Sequence, residues 1–98
     1  MRYHLIIKSK AEKDLQQSFE WYQEKKQGLG DELIEQTEVT IRKILDNPYQ
    51  YPRIHGEIRR ALVRRFPYSI LYIVEKDTVS IIAIFHCKRN PSEWEGSV

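Results

Sequence analysis

Apolar and polar residues alternate with different periods along this chain, and the period changes mark out its elements. Tyr3, Leu5 and Ile7 alternate with Arg2, His4, Ile6 and Lys8, the two-residue repeat of a strand with one face turned inward. From Ser9 the repeat becomes helical. Ser9, Lys10, Ala11 and Glu12 have the form of a capping box, and Leu15, Phe19 and Tyr22, with Ser18 and Trp21 beside them, make an aromatic stripe that ends near Gly28. A stripe of this kind is read as core. Gly28, Leu29, Gly30 and Asp31 form a corner too short for a linker, and they lack the spacing of a phosphate-binding loop. Asp31 is placed to cap a second helix whose Ile34, Thr37, Ile41, Ile44 and Leu45 face one way, with Glu32, Glu35, Glu38 and Lys43 largely on another. Asn47 and Pro48 stop it.

Pro48 to Gly56 holds two prolines, a glycine and no helical period, and is expected to cross the surface as an ordered loop. Three strands follow: Glu57 to Val63, Ser69 to Glu75 and Thr78 to His86. Lys76 and Asp77 make a tight hairpin turn, and Arg65 to Tyr68 a longer one. The last strand is apolar on both faces and is expected at the centre of the sheet. Asn90, Pro91, Ser92 and Glu93 resemble a cap followed by proline at the first helical position, which predicts a short final turn carrying Trp94. The fold class expected is α+β, in the order β-α-α-β-β-β. An antiparallel sheet should carry the two-helix hairpin on one face and leave the other free to bind.

With 98 residues the chain suits one domain over residues 1–98. No apolar run approaches the roughly 18 residues of a membrane span, and the N-terminal apolar stretch is too short for a signal peptide, so a cytoplasmic location is expected. Net charge is only +2, but it is unevenly distributed. Ala11 to Asn47 has nine acids against five bases, a balance of −4, whereas Arg53 to Arg65 has five arginines against Glu57 alone, a balance of +4.

That basic segment supplies the first candidate site. Arginine's fork of donors suits phosphate oxygens, and Arg59, Arg60, Arg64 and Arg65 lie on and just after one strand. Because neighbours on a strand point to opposite faces, Arg59 and Arg60 cannot share a patch. The same charges also suit a strand protected against edge pairing, and both readings remain open. Tyr49, Tyr51, Tyr68 and Tyr72 interleave with the arginines, a composition able to stack bases and equally at home in a packed sheet.

The second candidate is the C-terminal group His86, Lys88, Arg89 and Trp94. His86 titrates near neutrality in its reference state and is either an acid–base group or a histidine satisfied by backbone. Cys87, the single cysteine, is read as a buried structural thiol. His4, His55 and His86 have no ligand-spaced neighbours of the kind zinc motifs show, so neither a metal nor a cofactor is expected. Glu57, Glu75 and Glu93 look like surface residues rather than a hydrolytic pair.

Taken in order, Trp21-Tyr22, Gly28-Leu29-Gly30, Ile58-Arg59-Arg60, Phe66-Pro67-Tyr68-Ser69-Ile70-Leu71-Tyr72, Ile81-Ile82-Ala83-Ile84-Phe85-His86 and Arg89-Asn90-Pro91 with Trp94 resemble the RelE/ParE toxin superfamily. The likeness covers nearly the whole chain. It implies a type II toxin encoded beside an antitoxin that wraps and neutralises it. RelE-like members cut messenger RNA on the ribosome, and ParE-like members block DNA gyrase.

RelE-like cleavage uses the 2′-hydroxyl of the RNA as nucleophile, so the protein needs a cation on the phosphate and a proton donor for the leaving oxygen. Arg60, His86 and Arg89 are the candidates for that chemistry. The RelE-like pattern tends to place an arginine where this chain has Ser69, and the Trp-Tyr, Gly-Leu-Gly and Phe-Pro-Tyr signatures are closer to the ParE-like branch. The resemblance therefore implies a gyrase inhibitor held silent by a ParD-like antitoxin, with Arg59, Arg60, Arg64, Arg65, Arg89 and Trp94 as the target surface. A ribosome-dependent endoribonuclease is the first alternative, and a non-toxic binding module of the same fold is the second.

Overall fold

The computed structural model describes residues 3–87. Its elements are β1 (His4–Ile7), α1 (Ser9–Lys25), α2 (Leu29–Asp46), one 3-10 turn at Pro48–Gln50, β2 (Arg53–His55), β3 (Ile58–Leu62), β4 (Tyr68–Glu75) and β5 (Thr78–His86). The five strands form one sheet in the order β1-β5-β4-β3-β2, with the helices packed together on one face. The α+β class and the element order are as expected.

Three expectations about the sheet are corrected. β2 forms inside the segment read as a loop, pairing antiparallel with β3 through Arg53 and Arg59; three residues are too few to show a period. β1 pairs with β5 in parallel, so the sheet is mixed rather than antiparallel. The reason is parity. Each tight connection reverses the chain, and the extra strand makes the number of reversals between β1 and β5 even. β4, not β5, is the middle of the five strands, although β5 is interior and has a neighbour on each side.

The capping devices also differ from those the sequence suggests. Ser9 is already helical, the cap position is Lys8, and no side chain caps α1. Lys8 is fixed instead by the sheet, its N–H donating to the Ile81 carbonyl at 2.9 Å while its own carbonyl accepts from Glu12 N–H at 3.1 Å. Only Lys8 stands between the strand and the helix, so no hydroxyl is available at the cap. At α2 the cap position is Gly28, in the left-handed region at φ 92°, and Asp31 lies within the helix. The acceptor for the orphan N–H groups comes from the other helix. Gln23 Oε1 accepts from Gly28 N–H at 3.0 Å, from Gly30 N–H at 2.7 Å and from Asp31 N–H at 3.4 Å. A helix N-terminus leaves its first amides unpaired, and here one amide side chain serves three backbone donors at the corner.

Gly30 brings the helices together. A Cβ there would lie 2.6 Å from both the Phe19 carbonyl oxygen and Gln23 Cγ. Asp14 then ties α1 to the sheet: its Oδ2 accepts from Ile84 N–H at 3.1 Å. That amide lies beyond the stretch of β5 paired with β1, whose register ends at Ile81, so without Asp14 it would lack a strand partner.

Two apolar clusters result. The larger joins Ala11, Leu33, Ile41 and Ile44 of the helices to Ala61, Val63, Tyr68, Ile70, Tyr72, Val79, Ile81 and Ile84. The smaller, of Ile58, Leu71 and Ala83 with Ile54, Ile73, Ile82 and Phe85 packed around it, is made of strand residues alone and stands on the opposite face. Cys87 is exposed rather than buried, because β5 ends one residue before it; its Sγ lies 3.2 Å from Ser69 Oγ.

Gly30→Ala forces the helices apart and is expected to cost about 1–3 kcal/mol, the range for overpacking. Gln23→Ala is expected to cost roughly 0.5–2 kcal/mol, the range for a lost N-cap, whereas Gln16→Ala, on the exposed face of the same helix, should leave the thermal midpoint unchanged. Calorimetric melts of the three variants check this order.

Candidate functional site

The basic segment divides by strand register, and only part of it is available to a partner. Arg59 pairs with Tyr72 across β3 and β4, on the helix-side face. Its Nη1 donates to the Tyr51 carbonyl at 2.6 Å and to the Tyr49 carbonyl at 3.4 Å, and the guanidinium lies 5.1 Å from the Tyr49 ring centroid. Beneath it Tyr72 Oη donates to the Pro48 carbonyl at 2.5 Å, and the Tyr51 ring meets the Tyr72 ring edge-on at 6.4 Å. Burial pushes the Tyr72 phenol up to about 12, against the opposing pull of Arg59 and with a smaller upward push from Tyr51. Arg59, Tyr51 and Tyr72 therefore hold the path from α2 into β2, while Tyr49 remains exposed above them.

Arg60 pairs with Leu71 and so stands on the opposite face, exposed, beside the smaller apolar cluster. Arg64 and Arg65 are exposed in the turn between β3 and β4, with Arg65 at φ 73°. Arg53 is engaged with Glu57 at 3.5 Å on the surface. The arginines thus occupy both faces and one end of the sheet rather than a single patch.

His86 pairs with Tyr68, whose ring it meets at 5.2 Å, and Tyr68 belongs to the helix-side core. Tyr22 extends this aromatic group to Phe66 at 5.3 Å and to Trp21 at 4.8 Å. Arg60 and His86 consequently project from opposite faces. Lys88, Arg89 and Trp94, and the turn expected at Asn90 to Glu93, lie outside the described residues. Among the described residues no group of three or more His, Cys, Asp or Glu side chains is placed to hold a metal, and no helix is long and apolar enough to cross a membrane.

Sequence reasoning read the last strand as apolar on both faces but did not extend that character to the rest of the face that the helices leave uncovered. Leu62 is 59% exposed there, next to Arg60, and Ile6 continues the surface on β1 through its pairing with Ser80. The signal for it lies in the near-continuous apolar runs of β4 and β5, which are what a sheet apolar on both faces requires.

The sequence model of the family described as the ParE toxin of type II toxin–antitoxin systems, parDE, matches residues 5–91. The chain belongs to that family. A comparison with curated proteins finds no match. Among solved structures, the ParE-family chain resembles one from the chromosomal ParDE system of P. aeruginosa, with a TM-score of 0.79 and 16% identity over 89% of this chain and 98% of the other. It also resembles a mutant of the E. coli toxin RelE in the free state, with a TM-score of 0.72 and 20% identity over 99% and 96% of the two chains. A further likeness is to the RelE mutant in complex with an antitoxin RelB peptide, at a TM-score of 0.65 and 22% identity over 100% and 96%. At these identities the likeness is one of fold. It extends to both the ParE and the RelE branches.

Two substitutions should separate support from surface in this ParE-family toxin. Arg59→Ala removes charged hydrogen bonds to two carbonyls and is expected to cost roughly 1.5–3 kcal/mol, while Arg60→Ala should leave chemical denaturation unchanged. Folding holds the Tyr72 phenol protonated above its ordinary value of 10.0. The stability it contributes is therefore complete below about pH 10 and lost as pH rises through about 12. Tyr72→Phe should remove that component of the alkaline decline, as read from denaturation midpoints across the window.

Proposed function

We propose that this toxin acts by binding DNA gyrase, not by cutting RNA, and that a ParD-like antitoxin silences it. The observation carrying this reading is the placement of Arg60 and His86 on opposite faces of the sheet. Cleavage through the 2′-hydroxyl needs a cation and a proton donor converging on one phosphate, and these two side chains cannot meet on it. Ser69, where the RelE-like pattern carries an arginine, is fully buried between its neighbours and has only a hydroxyl to offer.

The target surface on this reading consists of Arg60, Arg64 and Arg65 together with Arg89 and Trp94, and Arg59 serves it by holding the segment that leads into β2. The flanking apolar residues suit a protein target. Protein interfaces favour arginine and aromatic anchors within an apolar centre, whereas a nucleic-acid surface would multiply cations.

Purified toxin is expected to inhibit gyrase supercoiling, with Arg60→Glu much weaker, and to leave translated messages free of cuts within codons. Unaffected supercoiling at large molar excess, together with codon-located cuts in primer extension, would establish the ribosome-dependent nuclease instead.

A further inference from the structure

The turn between β3 and β4 carries two cations on a firmly held base. Val63 N–H donates to the Tyr68 carbonyl at 2.9 Å, Tyr68 N–H to the Phe66 carbonyl at 2.8 Å, and Cys87 N–H to the Pro67 carbonyl at 2.7 Å. The Phe66 ring packs edge-on against Tyr22 of α1 at 5.3 Å, so the turn is tied to a helix and to the end of β5 at once. On this base Arg64 and Arg65 stand exposed. Arg53 is paired with Glu57 and Arg59 is bound to two carbonyls, but among the described residues no acceptor meets the guanidinium or the backbone N–H of Arg64 or Arg65.

Arg65 adopts φ 73°, in the left-handed region that turns normally give to glycine or asparagine. A long side chain there strains the backbone, and strain of this kind clusters at binding and catalytic sites. The large apolar residues at the turn are withdrawn from the surface: Val63 and Tyr68 are 3% and 1% exposed, and Phe66 is turned onto Tyr22. The turn therefore presents charge and N–H donors without an apolar floor. Contacts between proteins have such a floor at their centre, whereas phosphate oxygens are met by arginine forks and backbone N–H groups alone. Arg60, beside the apolar cluster of the open face, is the opposite case.

We propose that Arg64 and Arg65 grip backbone phosphates of the duplex DNA that gyrase holds, while the Arg60 face meets the enzyme itself. The proposal rests on the gyrase reading above and adds a second ligand to it. Two phosphate contacts are too few to hold free DNA tightly. Once gyrase brings its DNA beside the bound toxin, the same contacts become intramolecular and act at a high effective concentration. The turn then makes the enzyme–DNA complex, rather than either component alone, the preferred target.

The test is to titrate the full-length toxin into gyrase alone and into gyrase loaded with a linear duplex, at several salt concentrations. Affinity for the loaded enzyme should be at least about tenfold higher at low salt. The logarithm of the affinity ratio should fall against the logarithm of salt with a slope of about −1.8, at roughly −0.9 for each of two phosphates. Arg64→Ala combined with Arg65→Gly should bring the ratio to about one, whatever that variant's affinity for the DNA-free enzyme. Arg65→Gly alone should lower the ratio without lowering the thermal midpoint, because glycine relieves the positive φ. Equal affinities for the two forms of the enzyme, a ratio that the double variant leaves intact, or a lower midpoint for Arg65→Gly would each overturn the proposal. Binding to neither form would sink the gyrase reading instead, and the turn is then tested by itself: a short duplex at low salt should shift the amide and guanidinium resonances of Arg64 and Arg65 ahead of those of Arg60. Shifts caused by a glutamate-rich peptide and not by the duplex would assign the turn to carboxylates and overturn the phosphate site.

Discussion

The pairing register of β3, β4 and β5 is the constraint on which the rest of the molecule depends. Side chains alternate across a sheet, so a slip of one residue would carry every one of them to the other face. With Arg60 opposite Leu71 and Tyr68 opposite His86, Tyr68, Ile70 and Tyr72 enter the helix-side core while Ser69, Leu71 and Ile73 turn away from it. The same rule assigns Arg59 to structural duty and Arg60 to the surface. Two adjacent arginines of identical chemistry thus take different roles from strand parity alone.

The helix layer is fastened to this sheet by polar contacts at its margins and by apolar packing between them. Asp14 reaches a β5 amide left beyond β1, Gln23 closes the corner between the helices, and Tyr72 with Arg59 secures the descent from α2. Each serves backbone groups that regular secondary structure leaves unpaired, and a buried polar group without a partner is costly. A small domain has little apolar area to offset such losses, which is why single side chains here serve two or three backbone groups at once.

Much of this was legible in the sequence because it depends on local periodicity: the two helices, the Gly28–Asp31 corner, and the strands at Ile58, Tyr68 and Thr78 with the Lys76-Asp77 turn. What escaped was set by contacts distant in sequence. The capping of α2 by Gln23 depends on the helices already being antiparallel, and three residues at Arg53 form a strand only because β3 lies beside them. Missing that strand inverted the expected direction of β1. At the candidate site, the separation of Arg59 from Arg60 followed from alternation, and so was foreseen. The distance between Arg60 and His86 was not, since it depends on how two strands align across a third, which no single segment encodes.

Alpha-proton contacts between facing residues test the register most directly, because pairs that exchange no hydrogen bonds bring their Cα atoms to about 4.5 Å. Arg60 N–H is directed to the Pro52 carbonyl of the other neighbouring segment, so Arg60 and Leu71 form such a pair, and alternation from Ile84, whose N–H is held by Asp14, makes Tyr68 and His86 another. Nuclear Overhauser spectra of the folded chain should show strong Hα–Hα contacts within both pairs. A contact joining Arg60 to Ile70 or Tyr72 instead would place Arg60 on the same face as His86 and contradict the account at its base.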